Sequence, residues 1–188
     1  MSLVPAFEIG VWNAWIFVLY NYLGPIVIGG LINKDALRKA GTAAPYGGTL
    51  KKIIIPQQAA YLPAFIYSIF LPLQLWTAWF YIGLPICLIA SILSAMAVVS
   101  FATTPLDQPV TKGPYRYSRH PMYIGQSLIL IGVGIASVSW VFILFSIVYS
   151  IPSFICAVSE ERYCLEKFGD AYREYMNRTP RWIGIPKS

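Results

Sequence analysis

Charge is what this sequence has least of. Only 12% of its 188 residues are charged, about half the share of a soluble domain, so a water-facing surface cannot be assembled from them. Soluble fold classes are excluded, and so is a chain of two globular domains. Histidine is all but missing, with one in the chain, and the three cysteines stand at no CxxC or metal-ligand spacing. Neither a zinc site nor a disulfide is expected. There is no internal repeat and no low-complexity tract. The N-terminus has no basic n-region and its apolar run is too long for a cleaved signal peptide, so none is expected. Gly132-Val-Gly134 follows no strand, and its apolar setting points to helix packing in lipid rather than a dinucleotide loop.

What the sequence has in place of charge is long apolar runs. Ile9–Asn33, Ile53–Leu106 and Pro121–Ser159 contain no Lys, Arg, Asp or Glu, and together they make up 118 of the 188 residues. About 20 apolar residues cross a bilayer as a helix. The first run therefore holds one span, near Gly10–Ile32. The second holds two, with a break expected near Tyr81–Pro85, where Gly83 and Pro85 interrupt the pattern. The third divides near Ala136–Trp140 into halves that barely span, and a re-entrant hairpin is the competing reading. The expected fold is all-α and integral to a membrane, with about five transmembrane helices, the last two a tight hairpin. Lipid admits helices or closed barrels, and these runs do not alternate as barrel strands do.

The basic residues orient that bundle. Lys34, Arg38, Lys39, Lys51 and Lys52 fall in one loop, Lys112, Arg116 and Arg119 in another, and six more follow Ser159. With five spans all fourteen lie on one side, which places the N-terminus outside and the C-terminus in the cytoplasm. Trp12, Trp15, Trp76, Trp79 and Trp140 fall near the outer helix ends, where indoles favour the interface. The net charge of +6 is thus a topology signal, with attraction to anionic head groups, and needs no nucleic-acid partner. Cys87 and Cys156 fall inside helices and Cys164 in the tail.

The polar residues that could carry chemistry converge on the cytoplasmic face. The loop before the hairpin reads Gly113-Pro-Tyr-Arg-Tyr-Ser-Arg-His-Pro-Met-Tyr123, and the chain emerges from the hairpin at Ser159-Glu-Glu-Arg-Tyr163. A hairpin returns the chain to the side it left, so Arg119, His120 and Tyr123 should lie near Glu160 and Glu161. Ionisable groups at membrane helix ends often mark function. The plainer reading makes Arg119–Glu160 an interfacial salt bridge and His120 a helix cap before Pro121. Adjacent glutamates point about 100° apart on a helix, so one of the two is expected to face the bundle, without indication of which.

Those two segments, followed by Phe168-Gly-Asp-Ala-Tyr-Arg-Glu-Tyr175 and Thr179-Pro-Arg-Trp182, resemble the integral-membrane methyltransferases that include isoprenylcysteine carboxyl methyltransferase and the phospholipid N-methyltransferases. The resemblance covers roughly residues 110–186. It implies S-adenosyl-L-methionine at the cytoplasmic end of the last two helices, held by Tyr115, Arg119, His120, Pro121, Tyr123, Glu160 and Glu161, with His120, Arg119 and Glu160 as catalytic residues and no metal. A glutamate would hold the ammonium or ribose hydroxyls. Arg119 would take the methionine carboxylate with help from His120, and Tyr115 or Tyr123 would stack on adenine or face the sulfonium. Gly125, Gly132 and Gly134 would admit either the cofactor or a neighbouring helix. Arg173, Tyr175 and Arg181 would close over the site or belong to an amphipathic helix on the membrane surface.

Methyl transfer requires mostly positioning and water exclusion. A carboxylate acceptor needs no base, whereas an amine or thiol must lose a proton, and His120 is the one imidazole for that. The expected organisation is a single membrane domain over 1–188, with residues 1–105 forming helices one to three on the acceptor side and 106–188 forming the cofactor loop, hairpin and tail. The expected partners are the bilayer and a lipophilic methyl acceptor: an isoprenylcysteine carboxylate, a phospholipid amine or a related compound. A bacterial inner membrane fits the small size, and an endoplasmic reticulum membrane stays open. The competing functions are an NADPH-dependent sterol or enone reductase, which shares an Arg-x-Pro-x-Tyr and Glu-Glu arrangement, and a scaffold without catalysis.

Overall fold

The computed structural model describes residues 9–34 and 48–187. Among them are six α-helices, one 3-10 turn and no strand. Five long helices follow one another as α1 (Trp15–Ile32), α2 (Gly48–Ile69), α3 (Ala78–Ala102), α4 (Pro121–Ala136) and α5 (Trp140–Phe168). The 3-10 turn Gly113–Arg116 precedes α4, and a short α6 (Asp170–Arg178) follows α5. α1, α3 and α5 are long and apolar enough to cross a membrane, while α4 and the Ala59–Ile69 part of α2 are shorter apolar helices. Residues 35–47, with Arg38 and Lys39, and the first eight residues lie outside the described segments.

The helices alternate in direction. At one end Ala14 donates its N–H to Leu71 O at 2.9 Å, Leu73 to Trp12 O at 3.1 Å and Gln74 to Ala136 O at 2.9 Å, which gathers the α1 start, the α2–α3 link and the α4 end. Trp12, Trp15, Trp76, Trp79 and Trp140 sit at this end. At the other end Asn33 Nδ2 donates to Ala102 O, tying α1 to the end of α3.

The break in the second run is at Phe70–Thr77, not at Tyr81–Pro85. Thr77 caps α3 by accepting from Phe80 N–H, and Pro72 pairs across the link with Asn13. Gly83 and Pro85 lie inside α3. Gly83 is there for proximity: a Cβ on it would stand 2.5 Å from both Gly132 O and Ala136 N. Gly83, Cys87, Ala90, Ser94 and Ala97 form one buried stripe, and small residues at such spacing let apolar helices pack where no hydrophobic force separates protein from lipid. Gly125, Gly132 and Gly134 are likewise occupied by packing, against Ser94 and Ala90, Cys87, and Ile143 respectively.

α4 is the central helix, packed against α1, α3 and α5, with Ile129, Leu130 and Val133 fully buried. The α4–α5 hairpin turns through Ser137–Ser139, where the expected division lay. Ser139 caps α5 through Phe142 N–H. α5 runs well past Ser159 to Phe168, so Cys164 is helical rather than in a tail. Gly169, at φ +56, ends it, a backbone conformation glycine adopts without a Cβ penalty. Residues after α6 return to the loop before α4: Arg119 N–H donates to Pro180 O at 3.1 Å and Gly184 N–H to Tyr117 O at 3.1 Å.

Candidate active site

Pro121 occupies the first position of α4, where its missing N–H costs nothing. His120 takes the N-cap position but makes no side-chain cap bond, so its ring is available for other partners. Both adjacent carboxylates approach it. Its Nε2 lies 3.2 Å from Glu161 Oε1 and its Nδ1 lies 3.7 Å from Glu160 Oε2. The two glutamates differ in setting. The Glu161 side chain is 4% exposed and that of Glu160 24%.

Glu161 is the hub. Arg181 reaches it with Nε at 3.0 and 3.1 Å and Nη2 at 2.7 Å, the two-pronged contact a guanidinium makes with a carboxylate. Arg119 Nε lies 3.3 Å from Oε1 but off the hydrogen-bond direction, leaving that buried N–H without a hydrogen-bond partner. With two guanidiniums and an imidazole against it, Glu161 is held as a carboxylate, because a buried charge persists when it is paired. The Glu161 hydrogen bond in turn raises the pKa of Arg181, partly opposed by burial. Glu160 accepts a short hydrogen bond from Tyr123 OH.

Rings and backbone fix this cluster. The His120 and Tyr123 rings stack with centroids 5.8 Å apart and 15° between planes. Trp182 covers His120 from another side and meets Phe154 of α5 edge-on at 4.7 Å. Buried Ser118 accepts from His120 N–H at 3.0 Å and donates to Arg181 O at 3.2 Å, so one hydroxyl links the loop to the tail.

The loop thus brings Arg119, His120, Pro121 and Tyr123 to Glu160 and Glu161, as the hairpin argument requires. Tyr115 is placed elsewhere, buried in an apolar cluster with Ala97, Tyr172 and Tyr175. Its carbonyl accepts from Tyr175 OH at 2.8 Å. Burial pushes its phenol pKa up, so it stays neutral. Of the three tail residues named from sequence, Arg181 closes on Glu161 and Tyr175 anchors α6. Arg173 is exposed and pairs with Asp170, a contact of little energetic weight. Sequence reasoning missed Ser118, Phe154 and Trp182 as site residues, although the Thr-Pro-Arg-Trp motif contained the last.

The sequence model of the phospholipid methyltransferase family matches residues 73–171, just over half of the chain. The chain belongs to that family. Among curated proteins no match is found. The family match runs from within the α2–α3 link to the start of α6, and includes Arg119, His120, Tyr123, Glu160 and Glu161. Methyl transfer is therefore the reaction class, in a membrane protein. Arg181 and Trp182, which complete the cluster, lie beyond the phospholipid methyltransferase match, as do α1 and α2.

Proposed function

We propose that the protein transfers the methyl group of S-adenosylmethionine to a lipophilic acceptor at the cytoplasmic face of its membrane. The observation that carries this reading is the convergence of Arg119, His120, Glu160, Glu161 and Arg181 at the mouth of the α4–α5 hairpin. S-adenosylmethionine supplies a methyl group already activated on a sulfonium. The donor set suits such a ligand: carboxylates for its cationic groups, guanidiniums for its carboxylate, and flat rings for adenine. The buried Arg119 N–H without a hydrogen-bond partner is a donor in need of an acceptor.

The residues divide the work by setting. Glu161, surrounded by cations, holds Arg119, His120 and Arg181 in place. Glu160, the more open carboxylate, receives the ammonium or ribose hydroxyls, and Arg119 the methionine carboxylate. Tyr123 and Trp182 offer faces for adenine or the sulfonium; Tyr115 supports them from the apolar cluster behind. His120 has a carboxylate at each ring nitrogen, which supports a role in holding the cofactor over one as general base. Pro121 starts α4 and sets the depth of the site.

The same reading takes all five helices as spanning, with the N-terminus outside and the C-terminus in the cytoplasm. Five alternating helices, five indoles at one end and the described basic residues toward the other support it. The chain is then one membrane domain, with α1–α3 on the acceptor side and the loop, hairpin and tail on the cofactor side. The acceptor is an isoprenylcysteine carboxylate, a phospholipid amine or a related lipid.

Calorimetric titration of the detergent-purified protein with S-adenosylhomocysteine, with NADPH in parallel, tests the reading. Micromolar binding of S-adenosylhomocysteine alone is expected. Binding of NADPH alone would replace the methyltransferase with a reductase, and binding of neither by folded protein would leave a scaffold.

A further inference from the structure

A second cavity lies outside the carboxylate cluster. It measures about 340 Å³, within the roughly 300–1,000 Å³ of small-molecule sites. Its polar lining comes from three separate segments. The loop before α4 supplies Thr111 and Arg116, α6 supplies Glu174 and Arg178, and the tail supplies Thr179 and Lys187. No residue of the carboxylate cluster lines it.

The lining carries three cations and one carboxylate. Glu174 is engaged by Arg178 one turn on, in an exposed pair of small energetic weight. Arg116 and Lys187 are exposed and make no ion pair among the described residues. Two cations brought to one cavity repel each other, and an anion between them reverses the sign of that interaction. Thr179 adds a neutral group. It is only 5% exposed and lines the cavity, and its hydroxyl has no hydrogen-bond partner among the described residues. Such a hydroxyl is a donor left for whatever the cavity receives.

The backbone already gathers these segments. Lys187 N–H donates to Arg178 O at 2.8 Å, and Gly184 N–H to Tyr117 O at 3.1 Å. The stretch from Thr179 to Lys187 carries Arg181 and Trp182, which close on Glu161 and His120. A ligand shared by Arg116 and Lys187 therefore fastens the end of this stretch to the loop.

We infer that this cavity binds a phosphate group and in doing so fastens the tail over the carboxylate cluster. The donor set selects phosphate. Two guanidiniums present forks that match its oxygens, the ammonium adds a point charge, and the threonine hydroxyl donates to a remaining oxygen. A carboxylate, with two oxygens and one charge, would leave part of this set unused. The group belongs to free phosphate or to the head of an anionic lipid, which basic clusters beside a bilayer attract. A ligand that binds only the docked tail suppresses its local opening, so an occupied cavity protects the tail.

The experiment uses the full chain in dodecylmaltoside micelles at low ionic strength, where exposed charges are least screened. One arm titrates sodium phosphate by calorimetry against sodium chloride of matched ionic strength. The other mixes dioleoylphosphatidic acid or uncharged dioleoylglycerol into the micelles and reads retained lipid by native mass spectrometry. Tryptic cleavage between Arg181 and Trp182 is timed in both. The wild type is expected to bind phosphate, or to retain phosphatidic acid over the diacylglycerol. Its cleavage at Arg181 should then slow by about threefold or more. Arg116→Gln and Lys187→Gln should each weaken binding about fivefold and remove most of the protection. Both side chains are exposed, so the melting temperature without ligand should not move. Glu174→Gln withdraws the carboxylate and frees Arg178, and should bind about twofold tighter, a gain that misfolding cannot produce. Binding in the first arm assigns the site to free phosphate and binding in the second to a lipid head group, and either supports the inference. Binding in neither arm, binding that Arg116→Gln and Lys187→Gln leave intact, or cleavage at Arg181 unchanged by ligand would each overturn it. No measurement here involves S-adenosylhomocysteine, so failure of the methyl-transfer reading would leave every outcome legible.

Discussion

The indole of Trp182 lies 5.8 Å from the imidazole of His120, centroid to centroid and inclined at 46°. The tail residue that follows the Glu161 clamp thus forms one wall of the site. The other five tryptophans sit at the far end of the bundle, which makes Trp182 a selective reporter. S-adenosylhomocysteine should change the intrinsic fluorescence of the wild type, and Trp182→Phe should abolish that change. A ligand-induced signal that survives Trp182→Phe would place the ligand away from this wall.

Glu160 and Glu161 should separate when substituted. Glu161→Gln removes the counter-charge that half-exposed Arg181 and the nearly buried Arg119 share, and leaving a buried guanidinium unpaired costs about 3 kcal/mol or more. A fall of roughly 10 °C in melting temperature in detergent is expected from that loss, with binding lost alongside. Glu160→Gln should leave the melting temperature nearly unchanged and weaken S-adenosylhomocysteine about tenfold, the effect of one charge-assisted hydrogen bond.

His120→Ala should reduce S-adenosylhomocysteine affinity, because both ring nitrogens face carboxylates of the cluster. Calorimetry alongside turnover separates the roles. Full binding with lost turnover would move His120 from holding the cofactor to removing a proton from the acceptor.

Two glycines in helix interiors should respond oppositely to alanine. Gly83→Ala forces a Cβ against backbone atoms of α4 and should destabilise by about 1–3 kcal/mol through overpacking. Gly29→Ala meets only Val98 Cγ1 at 3.7 Å, and should be neutral or stabilise by up to about 1 kcal/mol through helix propensity. Melting curves of the two variants in one detergent provide the check.

The helical hairpin and the meeting of Arg119 and His120 with the Glu pair were legible in the sequence, because a charge-free run fixes where a chain leaves and re-enters apolar surroundings. Which glutamate is buried was not legible, since adjacent residues present the same composition to any pattern. The break in the long run was misplaced because Gly83 and Pro85 look like punctuation. In the fold Gly83 is a contact point inside α3, and the stop comes from Pro72 and the Thr77 cap, a quieter signal. Arg181 was legible as a residue able to close over the site, but the return of the tail to the loop before α4 was not, for a different reason. That return is held by backbone hydrogen bonds from Arg119 to Pro180 and from Gly184 to Tyr117, and backbone partners leave no trace in side-chain patterning.

The brevity of α4 has a consequence for where chemistry takes place. Sixteen residues rise about 24 Å, while the hydrocarbon slab is about 30 Å thick. On the proposed five-span reading, a bundle built around so short a central helix would dimple the bilayer on at least one face, and His120 stands at the foot of that helix. The proposed reacting groups would then sit in a depression level with the ester region of the surrounding leaflet. A lipid would arrive by lateral diffusion and react without being lifted into water, so turnover should depend on the two-dimensional density of acceptor in the leaflet rather than on its concentration in the aqueous phase.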